Sequence, residues 1–262
     1  MPAALLLVDV QYDFLPPSGA LGVPSGDDVL PVCHDLLDRG DWALVVASQD
    51  YHPSGHISFA STHSLPAFSS TRVADPRSGT DAKDKEQELW PDHCVQGTKG
   101  CEIEEGVRRR MDERSEKGTR CEVVRKGSDR DLDAYSSFAS PLSHPSSSPS
   151  PLTQLLLDAH ITTLVVVGLA TDFCVRASVL DALSQPWARA PPRSSSEPSE
   201  RDDEASAPPP GRVLVVREGT RGVDPERSER VLRELEAHGA RVVGVDEALR
   251  VVAGQAGRGD GA

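Results

Sequence analysis

Residues 161–183 read ITTLVVVGLATDFCVRASVLDAL, an apolar run followed closely by a helical pattern. The run at 161–168 has no charged residue, which is typical of a strand buried on both faces of a sheet. Apolar positions then recur at helical spacing and predict a helix over 172–183. A strand that leads directly into a helix is one half of a β-α-β unit, and it favours a parallel sheet.

The same kind of apolar run recurs five times outside this unit, and helical patterns lie between several of the runs. Strands that alternate with helices over short connections predict a parallel sheet covered by helices on both faces. Ligands of such folds bind at the carboxyl ends of the strands, so polar residues at those ends are candidate site residues. The other runs are 3–9, 43–47, 121–125, 213–216 and 241–245, and the other helical patterns are 28–38, 152–160 and 226–238.

The composition is that of an acidic globular chain. It has 262 residues, 37 % of them hydrophobic, and a formal net charge of −13. This charge repels phosphate backbones, so we expect no nucleic-acid partner. The apolar runs are far too short to span a bilayer, so we expect no membrane partner. The chain starts without a signal-like segment, and its five cysteines show no CxxC spacing. We therefore expect an intracellular, cytoplasmic protein with reduced thiols, the nucleus being the alternative.

Two stretches rich in Ser and Pro do not fit the strand and helix pattern. They lie at 139–151 and 184–210, and neither has enough apolar side chains to offset the entropy lost on ordering. We predict a single domain over 1–253 with these stretches as loop insertions and 254–262 as a flexible tail. The sequence leaves the oligomeric state open, and a homo-oligomer is compatible with it.

An Asp-x-His pair and a separate histidine suggest metal ligands. Asp50 and His52 follow the second predicted strand, and side chains two positions apart in an extended segment share a face. His93 would add a second imidazole, and His56 is either a fourth ligand or a supporting neighbour. One carboxylate and two imidazoles suit zinc, with iron and manganese as alternatives, and leave coordination positions open. The alternative interpretation is a set of hydrogen-bonded loop side chains.

Cys174 is the candidate nucleophile, because it lies in the first turn of the helix predicted over 172–183. A helix N-terminus lowers the pKa of a thiol and offers N–H groups to an oxyanion. Asp9 and Lys126 end two other strands, and together they could accept the thiol proton and favour the thiolate. Each residue also has an ordinary interpretation: Cys174 as a buried structural cysteine, and the two charged residues as caps or ion-pair partners.

Aromatic residues are scarce in this chain, and three of them lie close to these motifs. Phe14, Trp90 and Tyr135 could form the walls of a pocket for an aromatic ligand. Ordinary core packing is the alternative explanation for all three.

Taken together, the motifs resemble those of the nicotinamidases, a branch of the isochorismatase-like cysteine hydrolase superfamily. The resemblance covers nearly the whole chain except the two Ser/Pro stretches and the tail. Asp, Lys and Cys indicate the superfamily, whereas Asp-x-His together with WPxHCxxGT indicates the nicotinamidase branch. The matching segments are LLLVDVQYDFLPPSGAL (5–21), ASQDYHPSGHISFA (47–60), WPDHCVQGT (90–98), RKGSDRDLDAYSSF (125–138), VVVGLATDFCVRASVLDAL (165–183) and GTRGVDPE (219–226).

The resemblance implies a three-layer α/β/α fold around a six-stranded, mainly parallel sheet. It also implies a function, the hydrolysis of nicotinamide to nicotinate and ammonia through a cysteine thioester in NAD salvage. Two alternatives stay open: an amidase for another small carboxamide such as pyrazinamide, and an inactive member that binds without turnover. The implied site residues are Asp9, Lys126 and Cys174 as the catalytic triad, the N–H groups of Ala170 and Cys174 as the oxyanion hole, a cis peptide before Ala170, Phe14, Trp90 and Tyr135 around the substrate, and Asp50, His52 and His93 on zinc or a similar ion.

Overall fold

Six parallel strands form the central sheet. The computed structural model describes residues 2–78, 84–185 and 212–256. In chain order the sheet strands are β1 (Ala3–Val8), β2 (Leu44–Asp50), β5 (Arg120–Lys126), β6 (Thr163–Leu169), β7 (Arg212–Arg221) and β8 (Arg241–Val243), and a separate antiparallel hairpin consists of β3 (Ser70–Ala74) and β4 (Asp84–Glu88). The sheet order is β5-β2-β1-β6-β7-β8, and every neighbouring pair is parallel. The predicted six-stranded parallel sheet is confirmed.

Helices cover both faces of this sheet, which confirms the three-layer fold. Successive residues of β1 point to opposite faces: Leu5 and Leu7 pack into one core, and Leu6 and Val8 into the other. The helices are α1 (Val29–Arg39), α2 (Ala60–His63), α3 (Glu105–Glu116), α4 (Pro151–Asp158), α5 (Arg176–Ser184), α6 (Pro225–Ala237) and α7 (Val245–Ala256). Buried residues of α1, α3 and α7 belong to the first core, and those of α4, α5 and α6 to the second. Among the described helices, none has the length and apolar content needed to cross a membrane.

Local sequence signals explain where α4 and α6 begin. The Asp224 carboxylate accepts hydrogen bonds from the N–H groups of Glu226 and Arg227, at 2.9 and 3.0 Å, and Pro225 occupies the first position of α6. Ser150 caps α4 in the same way, and Pro151 is again its first residue.

The predicted loops and tail coincide only partly with the structure. Residues 139–150 contain no helix or strand, but Pro151 already belongs to α4. Most of the stretch at 184–210 lies outside the described residues, and Ser184 ends α5. The last helix continues to Ala256, three residues past the predicted end of the domain. Val252, near the end of this helix, packs into the first core.

Candidate active site

The carboxyl ends of four adjacent strands bring the predicted site residues together. Asp9 directly follows β1, Asp50 ends β2, and Lys126 ends β5. On the other side of β1, the chain leaves β6 through Ala170 and enters a π-helical turn, Thr171–Val175, which contains Cys174. Parallel strands end at the same edge of the sheet, so residues far apart in sequence meet there.

Lys126 lies at the centre of this group and is almost fully buried, with 2 % of its surface exposed. Its ammonium nitrogen is 2.9 Å from Asp9 Oδ2 and 2.6 Å from Asp50 Oδ1. The same nitrogen lies 3.4 Å from Cys174 Sγ and also donates to the carbonyl oxygen of Ala134 at 3.3 Å. One cation therefore contacts both carboxylates and the thiol.

Asp9 is held in place by Ser48, a residue of the neighbouring strand β2. The Ser48 hydroxyl donates to Asp9 Oδ1 at 2.6 Å, and the Asp9 N–H donates to Ser48 Oγ at 3.2 Å. Asp9 Oδ2 contacts Lys126 but accepts no well-aligned hydrogen bond from the described residues. One oxygen of Asp9, one of Asp50 and the Cys174 sulfur lie within 4.8 Å of one another. Asp9 Oδ2 is therefore a suitable acceptor for the thiol proton.

Burial decides the protonation of the thiol. It raises the pKa of Cys174 well above the ordinary thiol value, and Lys126 offsets this only in part. The sequence predicted a lowered pKa; Lys126 does lower it, but burial and the charges of Asp9 and Asp50 outweigh that effect. Burial also raises the pKa of Asp9, against the effect of Lys126. A thiol that rests protonated needs a base, and a raised pKa makes Asp9 a stronger one.

Asp50, His52 and His93 each offer a ligand atom within 4.8 Å of the others, and all three are buried. His52 Nδ1 donates to the carbonyl oxygen of Gly127 at 2.9 Å, and His93 Nδ1 donates to that of Pro91 at 2.8 Å. A carbonyl only accepts, so Nδ1 carries the hydrogen in both rings and Nε2 keeps its lone pair. Two such nitrogens and a carboxylate oxygen fit a divalent metal ion.

His56 is not part of this ligand group. Its ring stacks on that of His52 with 4.1 Å between ring centroids. Its Nδ1 lies 2.8 Å from Ser58 Oγ and its Nε2 lies 3.2 Å from the carbonyl oxygen of Leu132. Burial and the neighbouring His52 lower its pKa to about 4, so this ring is neutral near pH 7. The structure therefore places His56 as a supporting neighbour, and the prediction of a fourth ligand is not supported.

Aromatic side chains enclose the cleft above Cys174, which has a volume of about 450 Å³ including the space at its mouth. The three predicted aromatic residues all line it: Phe14, Trp90 and Tyr135. The Trp90 indole N–H donates to Tyr135 Oη at 3.1 Å. Phe173 meets the Trp90 ring edge-on with 5.0 Å between centroids. The cleft has the shape and apolar walls that a small aromatic ligand needs.

Sequence analysis missed several residues of the site. Phe173 was available to find, because it directly precedes Cys174 at the strand-to-helix turn. Asp133 also lines the cleft and accepts a hydrogen bond from Gln87 Nε2 at 2.7 Å. No local pattern distinguishes this aspartate from the other acids of the segment at 129–133. The cis peptide implied before Ala170 is present.

A family model for the isochorismatase domain matches residues 3–185, and the chain belongs to this family. Among curated proteins, it is similar to the nicotinamidase of Escherichia coli, with 34 % identity over 91 % of this chain and 93 % of that protein. The nicotinamidase of Saccharomyces cerevisiae is 30 % identical over 91 % of this chain and 98 % of its own length.

Solved structures agree with this assignment. The yeast nicotinamidase Pnc1p bound to the inhibitor nicotinaldehyde superimposes with a TM-score of 0.74 and 29 % identity, covering 92 % of this chain and 99 % of that one. The pyrazinamidase of Pyrococcus horikoshii in complex with zinc gives a TM-score of 0.60 and 27 % identity, covering 93 % of this chain and 99 % of that one.

Proposed function

We propose that this protein is a nicotinamidase, an amidohydrolase that converts nicotinamide and water to nicotinate and ammonia through a cysteine thioester. One observation carries the proposal: Asp9 and Lys126 meet Cys174 where this thiol lines an aromatic cleft. Asp50 touches Lys126 and belongs to the ligand group as well, which joins the thiol to the metal site. The similarity to curated nicotinamidases over most of the chain supports the same function.

Asp9, Lys126 and Cys174 are assigned to the first half of the reaction. Asp9 accepts the thiol proton, and Lys126 stabilises the thiolate by its charge. The thiolate attacks the carboxamide carbon, and the carbonyl oxygen takes up the negative charge. The N–H groups of Ala170 and Cys174, in the turn after β6, are assigned to stabilise that oxygen. Collapse of the tetrahedral intermediate breaks the C–N bond, and the Asp9 proton leaves with ammonia.

The second half of the reaction regenerates the thiol. Asp9, now a carboxylate again, accepts a proton from water, and the resulting hydroxide attacks the thioester carbon. The C–S bond breaks, the proton held by Asp9 returns to Cys174, and the new carboxylic acid gives its own proton to water or ammonia and leaves as nicotinate. Phe14, Trp90 and Tyr135 are assigned to hold the pyridine ring through both halves, with Phe173 beside them.

Asp50, His52 and His93 are proposed to hold one divalent ion, with zinc first and iron or manganese as alternatives. The ion would supply a Lewis acid that binds the ring nitrogen of the substrate. The three ligands line the same cleft as Cys174, so an ion held there would help to orient the carboxamide toward the thiol.

The substrate test compares nicotinamide with benzamide, which has the same carboxamide but no ring nitrogen. Loss of one polar contact to a charged group should lower kcat/KM about 10- to 100-fold for benzamide. Release of ammonia measures both reactions. Pyrazinamide keeps a ring nitrogen and serves as the matched control, expected to turn over. Equal rates for benzamide and nicotinamide would show that the ring nitrogen is not recognised.

We further propose one domain with insertions at 139–151 and 184–210, located inside the cell in the cytoplasm or the nucleus. The five cysteines are all free thiols, which suits a reducing compartment. Deletion of 189–208 behind a short Gly/Ser bridge should change the free energy of unfolding by no more than about 1 kcal/mol, because closure entropy depends weakly on loop length. Denaturant unfolding and ammonia release measure the effect. A folded deletion variant without activity would show that the segment serves the site.

A further inference from the structure

The two histidine ligands are joined through the backbone of Cys94. His93 precedes it directly in the chain, and the Cys94 carbonyl oxygen accepts the N–H of His52 at 3.0 Å. Cys94 is fully buried and has a φ of 48°, in the left-handed region that L-residues seldom adopt. The orientation of this one residue therefore affects both His52 and His93.

The Asp13 side chain holds Cys94 in that conformation. Asp13 Oδ2 accepts the N–H of Cys94 at 2.7 Å, across 81 positions of sequence. Bonds from N–H groups to a charged oxygen are the stronger kind, and this one fixes a strained residue. Asp13 belongs to a short 3-10 helix, Tyr12–Phe14. The ring centroids of Phe14 and His93 lie 5.7 Å apart.

Contacts with Gly100 and Ala20 fix the position of the Asp13 carboxylate. A Cβ at Gly100 would collide with the Asp13 carboxylate and displace it from its present position. The Asp13 N–H donates to the carbonyl oxygen of Gly100 at 3.0 Å, and Asp13 Oδ1 accepts the N–H of Ala20 at 3.3 Å. These two hydrogen bonds therefore hold Asp13 in position to accept the N–H of Cys94.

The side chain of Gln11 bonds to the backbone of Asp50, the third proposed metal ligand. Its Oε1 accepts the N–H of Asp50 at 2.8 Å, and its Nε2 donates to the carbonyl oxygen of Asp50 at 2.8 Å. The Nε2 group also donates to the carbonyl oxygen of Cys101 at 2.8 Å. The side chains of Gln11 and Asp13 therefore bond to the backbone of Asp50 and of Cys94, the residue that follows His93 and accepts the N–H of His52.

We infer that Asp13 is a positioning residue for metal binding. It sets the direction of His93 and its distance from His52 through the Cys94 backbone, so that the ligands are in place before the ion binds. This inference rests on the metal site proposed above, and it gives a role to a carboxylate that contacts neither the thiol cluster nor the ligand atoms. Removal of groups that orient metal ligands typically weakens metal binding by about 10- to 100-fold.

The test measures zinc affinity of the purified metal-free protein by competition with a chromogenic chelator. Asp13→Ala should weaken zinc binding at least about tenfold, whereas Asp13→Asn keeps an acceptor oxygen and should retain most of the affinity. Circular dichroism and thermal unfolding of the metal-free forms should differ little between Asp13→Ala and the wild type. If Asp13→Ala does not fold, Gly100→Ala provides a second route, because it displaces the carboxylate without removing it.

The matched control is Asp92→Asn. Asp92 is exposed, adjoins His93 and bonds only to the Ser61 hydroxyl among the described hydrogen bonds, at 2.5 Å. Its neutralisation removes the same charge near the site without touching Cys94, and zinc affinity should stay near the wild-type value. Equal losses of zinc affinity in Asp92→Asn and Asp13→Ala would show that only the charge matters and would overturn the inference. Wild-type zinc affinity in Asp13→Ala would overturn it as well. A wild-type protein that binds no zinc would instead refute the proposed metal site.

Discussion

Replacement of Cys174 by alanine is expected to lower the turnover of nicotinamide by about 10⁴-fold or more, because it removes the atom that forms the thioester. Alanine fits the space of a buried thiol with few other changes, so the variant should unfold at nearly the wild-type temperature. Release of ammonia from nicotinamide measures turnover, and circular dichroism measures the fold. Mass spectrometry after quenching should find an acyl group on the wild type and none on Cys174→Ala.

Two further variants make this result specific. Asp9→Asn should be nearly as damaging, since the thiol rests protonated and both halves of the reaction pass a proton through this side chain. Cys121→Ala is the matched control, because Cys121 is a half-buried thiol on β5 outside the cleft, and its turnover should be unchanged. Turnover near the wild-type rate in Cys174→Ala would refute the cysteine mechanism, and the same result in Asp9→Asn would require another base.

The central sheet was predictable because its middle strands are buried on both faces. Runs such as 3–8 and 164–169 are apolar throughout, and this leaves a strong signal in the sequence. The carboxyl-end rule then placed Asp9, Asp50 and Lys126 together, and the structure brings them within contact distance. Local chemistry was enough here, since each residue directly follows or ends a recognisable strand.

The peripheral elements left no such signal. Strand β4 reads DKEQE, a set of residues with low β-propensity, and only Gln87 of the five is buried. It is a strand because it pairs with β3, a tertiary fact that a local pattern does not contain. Helix α3 is nearly as polar, and it buries only Val107 and Met111, four positions apart.

Within the site, the features that the sequence did not reveal depend on long-range contacts. The raised pKa of Cys174 arises from burial by the whole fold, which outweighs the local effects of the turn and the lysine. His56 follows His52 by four positions, a spacing that two metal ligands can have. Its two ring nitrogens instead form hydrogen bonds with the Ser58 hydroxyl and the Leu132 carbonyl oxygen. The hydrogen bond from Cys94 to Asp13 spans 81 positions, and only the folded chain brings these two residues together.

Removal of the divalent ion is expected to remove most of the turnover and leave the fold intact. Without the ion, the Asp50 carboxylate still contacts the Lys126 ammonium at 2.6 Å, so it keeps an oppositely charged partner. The two cores on either side of the sheet do not depend on the ligands.

Metal analysis should therefore find about one equivalent per chain in the purified protein and much less than one in His52→Ala. Chelation and His52→Ala should each lower kcat/KM for nicotinamide by about 100-fold, because loss of a polar contact to a charged group costs up to about 3 kcal/mol. Far-ultraviolet circular dichroism should change little in either case. His238→Ala is the matched control, since His238 is exposed at the end of α6 and bonds to its own helix, and it should keep both metal and activity.

Full turnover by the chelated protein would contradict a role for the ion in catalysis. Collapse of the fold on chelation would instead show that the ion is structural. A site with three ligands and an open coordination position does not favour a structural role.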